Sequence, residues 1–273
     1  MEANLNWRRD HRLWIEVFAL LNLAGLAPDI YLAHSTNSFR HPTEYVPLIF
    51  SLAAPLALLP ALVFLLALAR PTPWRIMGYA VGWISVVVGV AGLIFHLESQ
   101  FFQERTLASL VYSAPFAAPL AYTGLGLLLI MNRMVPPETL EWPLWVLLLA
   151  VGGFEGNFVF SVTDHAENGF FHRTEWIPVI SSAFAVGFLL VPLFMRVGRF
   201  FLLLSTGVMA GQAAVGILGF YFHLTANIHV PGANLFDKLV YGAPVLAPLL
   251  FPDLVVLALI GLWVLHRQSS VLR

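Results

Sequence analysis

Nine histidines occur in the chain, and seven of them, His34, His41, His96, His165, His172, His223 and His229, lie at the ends of apolar runs or in the adjoining loops. Counting the crossings of those runs puts all seven on one side of a membrane, with only His11 and His266 on the other. Their spacing repeats. A shift of 131 residues carries His34 onto His165, His41 onto His172 and Glu44 onto Glu175, and a shift of 127 carries His96 onto His223.

Each half of the chain therefore supplies three histidines and a glutamate at one depth: His34, His41, Glu44 and His96, then His165, His172, Glu175 and His223. Neutral imidazole with carboxylate is a donor set for iron, zinc, manganese or copper(II). Methionine does not gather there, which argues against a soft copper(I) site. Were the two sets to meet, they would hold a dinuclear centre able to activate water or oxygen; held apart, each half has its own mononuclear site. No HExxH-type spacing is present.

The same histidines admit a second chemistry. His34 with His96, and His165 with His223, are candidate axial pairs for a b-type haem in an electron-transfer subunit. A third reading is a proton- or cation-coupled transporter, with Asp29, Glu155 and Asp253 as its route, since an ionised acid inside an apolar helix is costly unless it serves a polar path. None of the three has an acidic counterpart in the other half, and the histidines sit at one face rather than at the midplane where transporters bind.

Local capping explains part of the pattern without any ligand. Thr43 and Thr174 read as N-caps, Glu44 and Glu175 as first-turn acids, Pro47 and Pro178 as prolines of the tolerated first turn, and Tyr45 and Trp176 as interfacial aromatics. It does not explain histidines that recur at matched places in two diverged halves. Asp164, Glu167 and His229 occur only in the second half and are accessory candidates. Tyr112 and Tyr241, each just before an APxxAP segment (114–119 and 243–248), are placed to aim a hydroxyl at the histidine layer. The small residues and prolines of those segments suit close helix packing and kinks.

These residues need a scaffold, and composition names its solvent. Hydrophobic residues make up 59% and charged residues 11% of 273, too few charges to cover a water-soluble surface. Eight apolar runs, about 13–34, 45–69, 76–97, 108–131, 143–164, 176–195, 200–223 and 239–265, each approach the roughly 20 residues that span a bilayer as helix. Helices satisfy their own backbone in lipid, and the alternating pattern of a barrel is absent. The first run reads as a retained helix, because it is long and has no small-residue cleavage site.

Ten basic residues (Arg8, Arg9, Arg12, Arg70, Arg75, Arg133, Arg196, Arg199, Arg267 and Arg273) fall on the face bearing both termini, against four (Arg40, Arg105, Arg173 and Lys238) on the other. That bias puts the termini in the cytoplasm and the histidines outside it, in an inner or plasma membrane.

The expected fold is an all-α integral membrane protein of eight transmembrane helices. They form two tandem four-helix repeats, 1–136 and 137–273. The repeat extends from LWIEVFALLNLAGLAPDIYLAH over LWVLLLAVGGFEGNFVFSVTDH, through GVAGLIFHL over GILGFYFHL, to LVYSAPFAAPL over LVYGAPVLAPL. Four helices are an even number, so both copies cross in the same sense and a pseudo-twofold axis along the membrane normal relates them. The absence of cysteine excludes thiolate clusters, c-type haem and disulfides, and a net charge of −1 gives no electrostatic basis for a nucleic-acid partner. The partners expected are the bilayer itself and membrane or periplasmic proteins, a purely structural subunit included.

Overall fold

The computed structural model describes residues 10–68, 71–232 and 234–271. Arg8, Arg9, Arg70 and Arg273 lie outside them. The described residues form helices and turns with no strand. The helices are α1 (His11–Ser35), α2 (Tyr45–Leu68), α3 (Pro71–Glu98), α4 (Phe101–Glu104), α5 (Leu107–Val111), α6 (Leu120–Met134), α7 (Glu141–Glu167), α8 (Trp176–Phe194), α9 (Arg199–Ile228), α10 (Leu235–Tyr241) and α11 (Leu250–Val271). Seven segments, six of them on α1, α2, α3, α7, α8 and α9 and the seventh at Ala247–Gln268, are long and apolar enough to cross a membrane. The chain is a polytopic membrane protein.

The run expected as one helix over 108–131 is divided. It gives the short α5, an irregular stretch, and then α6, whose 15 residues make about 22 Å of helix, short of a bilayer core of about 30 Å. The run over 239–265 divides in the same place, into α10, a 3-10 turn at Ala247–Leu249, and α11. Proline is the cause. Pro115 and Pro244 have no N–H to donate, and each pushes the alanine before it out of the helical region. The APxxAP segments therefore break their helices, where the sequence suggested kinks within continuous ones.

The long helices close into two rings of contacts. In the first, α1 packs on α2, α2 on α3, α3 on α6, and α6 back on α1; in the second, α7, α8, α9 and α11 do the same. The rings meet where α6 packs on α7 and α1 on α11. Ile15, Ala19 and Leu23 of α1, and Trp142, Val146, Ala150 and Phe154 of α7, recur every four residues and are fully buried, which is the spacing of one helix face. Large apolar side chains on the outward faces remain exposed, as a lipid solvent permits.

In lipid no hydrophobic force draws helices together, so close approach over small residues and buried polar bonds must hold them. Gly82 of α3 lies against Gly126 and Ile130 of α6. The Tyr122 hydroxyl donates to the Pro47 carbonyl at 2.9 Å and contacts the Ser51 hydroxyl, tying α6 to α2. In the second ring Gln212 of α9 donates to the Ser181 carbonyl of α8 at 2.8 Å. Where α1 and α11 meet, the Asn22 amide donates to Asp253 at 2.9 Å.

Candidate metal centre

His34 stands in the last turn of α1 and His96 in the last turn of α3, which brings both imidazoles to the same end of the first ring. Their ring centroids are 6.2 Å apart. Glu44 reaches the same place from a 3-10 turn, Pro42–Glu44, that leads into α2. Its Oε2 lies 3.5 Å from His34 Nδ1. In the second ring His165 ends α7, Glu175 closes the turn Arg173–Glu175 before α8, and His223 lies in the late turns of α9. Glu175 Oε2 is 3.8 Å from His165 Nδ1, and His223 acts electrostatically on His165.

Glu44 is held from behind. The other oxygen of Glu44 accepts from Asn37 Nδ2 at 2.9 Å and from the His41 backbone N–H at 3.3 Å. Helix starting and site building thus use opposite oxygens of one carboxylate. Thr43 and Thr174 are inside the turns rather than at the N-cap; the cap positions are His41 and His172, with nearly identical extended backbones (φ −107° and −106°), because proline or arginine at the next residue already begins the tight turn. Glu44 Oε2 and Glu175 Oε2 are buried and have no hydrogen-bond partner.

The second histidines are oriented by the helix breaks. His96 Nδ1 lies 2.8 Å from the Pro115 carbonyl, and His223 Nδ1 lies 2.9 Å from the Pro244 carbonyl. A carbonyl only accepts, so each Nδ1 carries the proton and each neutral ring keeps its lone pair on Nε2. The breaks are themselves pinned. The Ala114 N–H donates to the Ser99 hydroxyl at 3.1 Å. In the second ring the buried Asn227 takes both backbone groups of Ala243, accepting its N–H at 2.7 Å and donating to its carbonyl at 2.8 Å. Gly92 and Gly219 let the second proline of each segment, Pro119 and Pro248, sit directly on α3 and α9.

Six of the eight candidate ligands thus gather as two triplets, His34–Glu44–His96 and His165–Glu175–His223, with every recorded contact inside its own ring. The rings of His41 and His172 are exposed and belong to neither. Asp164 is half-buried and electrostatically coupled to Glu167 near the end of α7. His229 bonds its own helix, Nδ1 to the Thr225 carbonyl at 2.6 Å. Tyr112 and Tyr241 are 60% and 68% exposed. Of the three deeper acids, Asp253 is held by Asn22, Asp29 on α1 acts electrostatically on the buried Tyr122 of the first ring, and Glu155 on α7 is exposed. Among the described residues no group of three or more His, Asp or Glu side chains is placed so that it could hold a metal ion.

Sequence reasoning passed over three features. Phe39 and Phe170, beside His34 and His165, obey the same 131-residue shift and were findable from it. Glu16 was not: it is buried in an ion pair with Arg133, whose Nη1 lies 2.8 Å from Glu16 Oε1 and whose Nη2 donates to Oε2 at 2.9 Å. The carbonyls of Pro115 and Pro244 carry no side-chain signature at all. Comparison with protein-family models, with curated proteins and with solved structures found no match to this chain.

Proposed function

We propose that the chain is a membrane metalloprotein made of two tandem four-helix repeats related by a pseudo-twofold axis along the membrane normal, each holding one first-row transition metal on a His–Glu–His triplet. His34, Glu44 and His96 are the ligands of one site, and His165, Glu175 and His223 those of the other. Both termini face the cytoplasm, and both sites open to the opposite, periplasmic side.

The observation that carries the proposal is the pair of buried, unbonded carboxylate oxygens, Glu44 Oε2 and Glu175 Oε2. A buried carboxylate oxygen whose one near partner stands at ion-pair rather than hydrogen-bond distance is under-satisfied, and here it occurs twice at matched positions. The imidazole Nδ1 facing each is 3.5 or 3.8 Å away, beyond the about 3.2 Å limit of a direct N–H···O bond. Two donors bound to one tetrahedral ion at about 2.1 Å stand roughly 3.4 Å apart, so an ion between them satisfies both. The third donor is His96 or His223, whose Nδ1–H bond to a carbonyl leaves Nε2 available; metal-bound histidines are oriented by such bonds. Small rotations of these rings complete the triplets.

Two imidazoles and one carboxylate form the donor set of non-haem iron oxygenases and also suit zinc, manganese and copper(II). Three protein donors leave a coordination position for water or a small ligand, which an enzyme acting at the metal would need. A haem reading has one observation of its own: the 6.2 Å between the His34 and His96 ring centroids is close to the roughly 6 Å of two imidazoles on opposite faces of one iron. Metal analysis and the visible spectrum of the purified protein separate the readings. About one metal per triplet without a Soret band supports the proposal, a Soret band transfers it to haem, and neither metal nor haem removes both.

A further inference from the structure

Two open apolar grooves lie at the same place in the two rings, at the end of the helices that carries the chain termini. One, of about 650 Å³, runs between the late turns of α2 and the first turns of α3, with Ala57, Pro60, Thr72 and Ile76 in its walls. The other, of about 330 Å³, runs between α8 and the first turn of α9, with Gly187, Phe188, Val191 and Phe201 in its walls. The 131-residue shift carries Ala57 onto Phe188 and Pro60 onto Val191, and the 127-residue shift carries Thr72 onto Arg199. The difference in size follows from the first exchange. Phe188 stacks on Phe201 with centroids 5.7 Å apart, filling space that Ala57 leaves open. Both volumes are in the range of small-molecule pockets, about 300–1,000 Å³.

An unfilled apolar groove forfeits dispersion contacts along its walls, and the solvent around these helices is acyl chain. Next to each groove stands positive charge. Arg75 directly precedes the groove residue Ile76, and Arg196 and Arg199 flank the start of α9, with Phe201 two residues beyond Arg199. All three arginines are exposed, and among the described residues none has an ion-pair partner. The N-cap of α9 is Gly198, so no side chain caps the first N–H groups at the positive end of that helix. A hydrocarbon groove beside unpaired cations asks for an amphiphile with an anionic head.

We propose that each groove seats one acyl chain of an anionic phospholipid, its phosphate held by Arg196 and Arg199 in the second ring and by Arg75 in the first. Basic pockets between membrane helices are a known form of headgroup site. A second copy of the chain docking groove to groove would set these arginines against each other, a like-charge contact that disfavours it. The lipid seats are independent of any ion at the histidines, which end the helices on the opposite side.

The test is native mass spectrometry of the full-length protein in detergent, with phosphatidylglycerol and phosphatidylcholine of identical acyl chains as probes. The wild type is expected to retain two phosphatidylglycerol molecules per chain and to bind phosphatidylcholine at least about fivefold more weakly, the scale of one arginine acting on an anionic lipid. Ala57→Phe and Gly187→Leu each give one ring the residue that the other carries at the matched position, Phe188 or Leu56, and a Cβ at Gly187 has nothing within 4 Å. Each is expected to remove one lipid, whatever its head. Gly211→Leu, at an equally open position of α9 outside the groove, is expected to keep both. Should a filled groove impair folding, Arg196→Gln/Arg199→Gln changes only exposed side chains and is expected to remove the headgroup preference of one seat. A wild type that retains no phosphatidylglycerol, that holds the two lipids alike, or that keeps two in both groove variants overturns the proposal. So does a wild-type dimer that the groove variants dissociate, since the groove then holds a second copy.

Discussion

His96 donates its Nδ1–H to the carbonyl of Pro115 at 2.8 Å, a carbonyl whose α-helical donor would be residue 119, itself a proline without an N–H. That carbonyl also accepts the Ala118 N–H at 3.1 Å in a turn, and its second lone pair fixes the tautomer and direction of an imidazole 19 residues away. His223 and Pro244 repeat the arrangement at 2.9 Å. In each case the second proline of the segment, seated against a glycine of the facing helix, sets the distance.

That seat predicts the effect of filling it. In Gly92→Val the new side chain meets the Pro119 ring, and overpacking of this kind costs about 1–3 kcal/mol. The thermal midpoint in detergent is expected to fall, and the metal of the first triplet to be lost with it. Gly25, which has nothing within 4 Å, is the control: Gly25→Ala is expected to keep both metals.

Asn227 predicts a loss confined to the other site. Asn227→Ala strips both partners from the buried backbone of Ala243, at about 1–3 kcal/mol for each unsatisfied group. The His223 anchor loosens, and metal affinity of the second triplet is expected to drop about 10- to 100-fold, as when an outer-shell partner is removed. Competition with a chelator of known affinity measures it, and the first triplet is expected to be unmoved.

The buried pair Glu16–Arg133 predicts a non-additive result. At the matched positions of the second ring stand Leu147 and Leu262, both buried. Breaking the pair with Arg133→Leu alone strands a buried charge and is expected to cost about 3–5 kcal/mol, whereas Glu16→Leu/Arg133→Leu restores most of it, since an apolar pair often replaces a buried ion pair at no loss. Unfolding midpoints of the two single variants and the double variant decide it.

The sequence and the structure part company at identifiable residues. Hydropathy locates every long apolar run because about 20 consecutive apolar residues have no other stable solvent. It does not resolve the breaks at Pro115 and Pro244, since the residues around them stay apolar while the backbone turns. Arg133 counted as a loop charge because it follows the apolar part of its helix; its guanidinium instead folds back over Trp74 at 4.4 Å and onto Glu16, a partner more than a hundred residues distant. Spacing grouped four residues per half, yet His41 and His172 differ from the others in serving as cap positions of a turn, which directs their rings outward. The histidines that gather do so because they end helices whose neighbours in the ring end at the same level.

As proposed, each triplet holds one ion of its own. Metal counts of the purified wild type, of Glu44→Gln, of Glu175→Gln and of the double variant test that directly. The expected series is two ions per chain, one, one and none, with the helical circular dichroism of all four proteins alike. Fewer than about half an ion in the wild type, or a count that neither substitution changes, would contradict it.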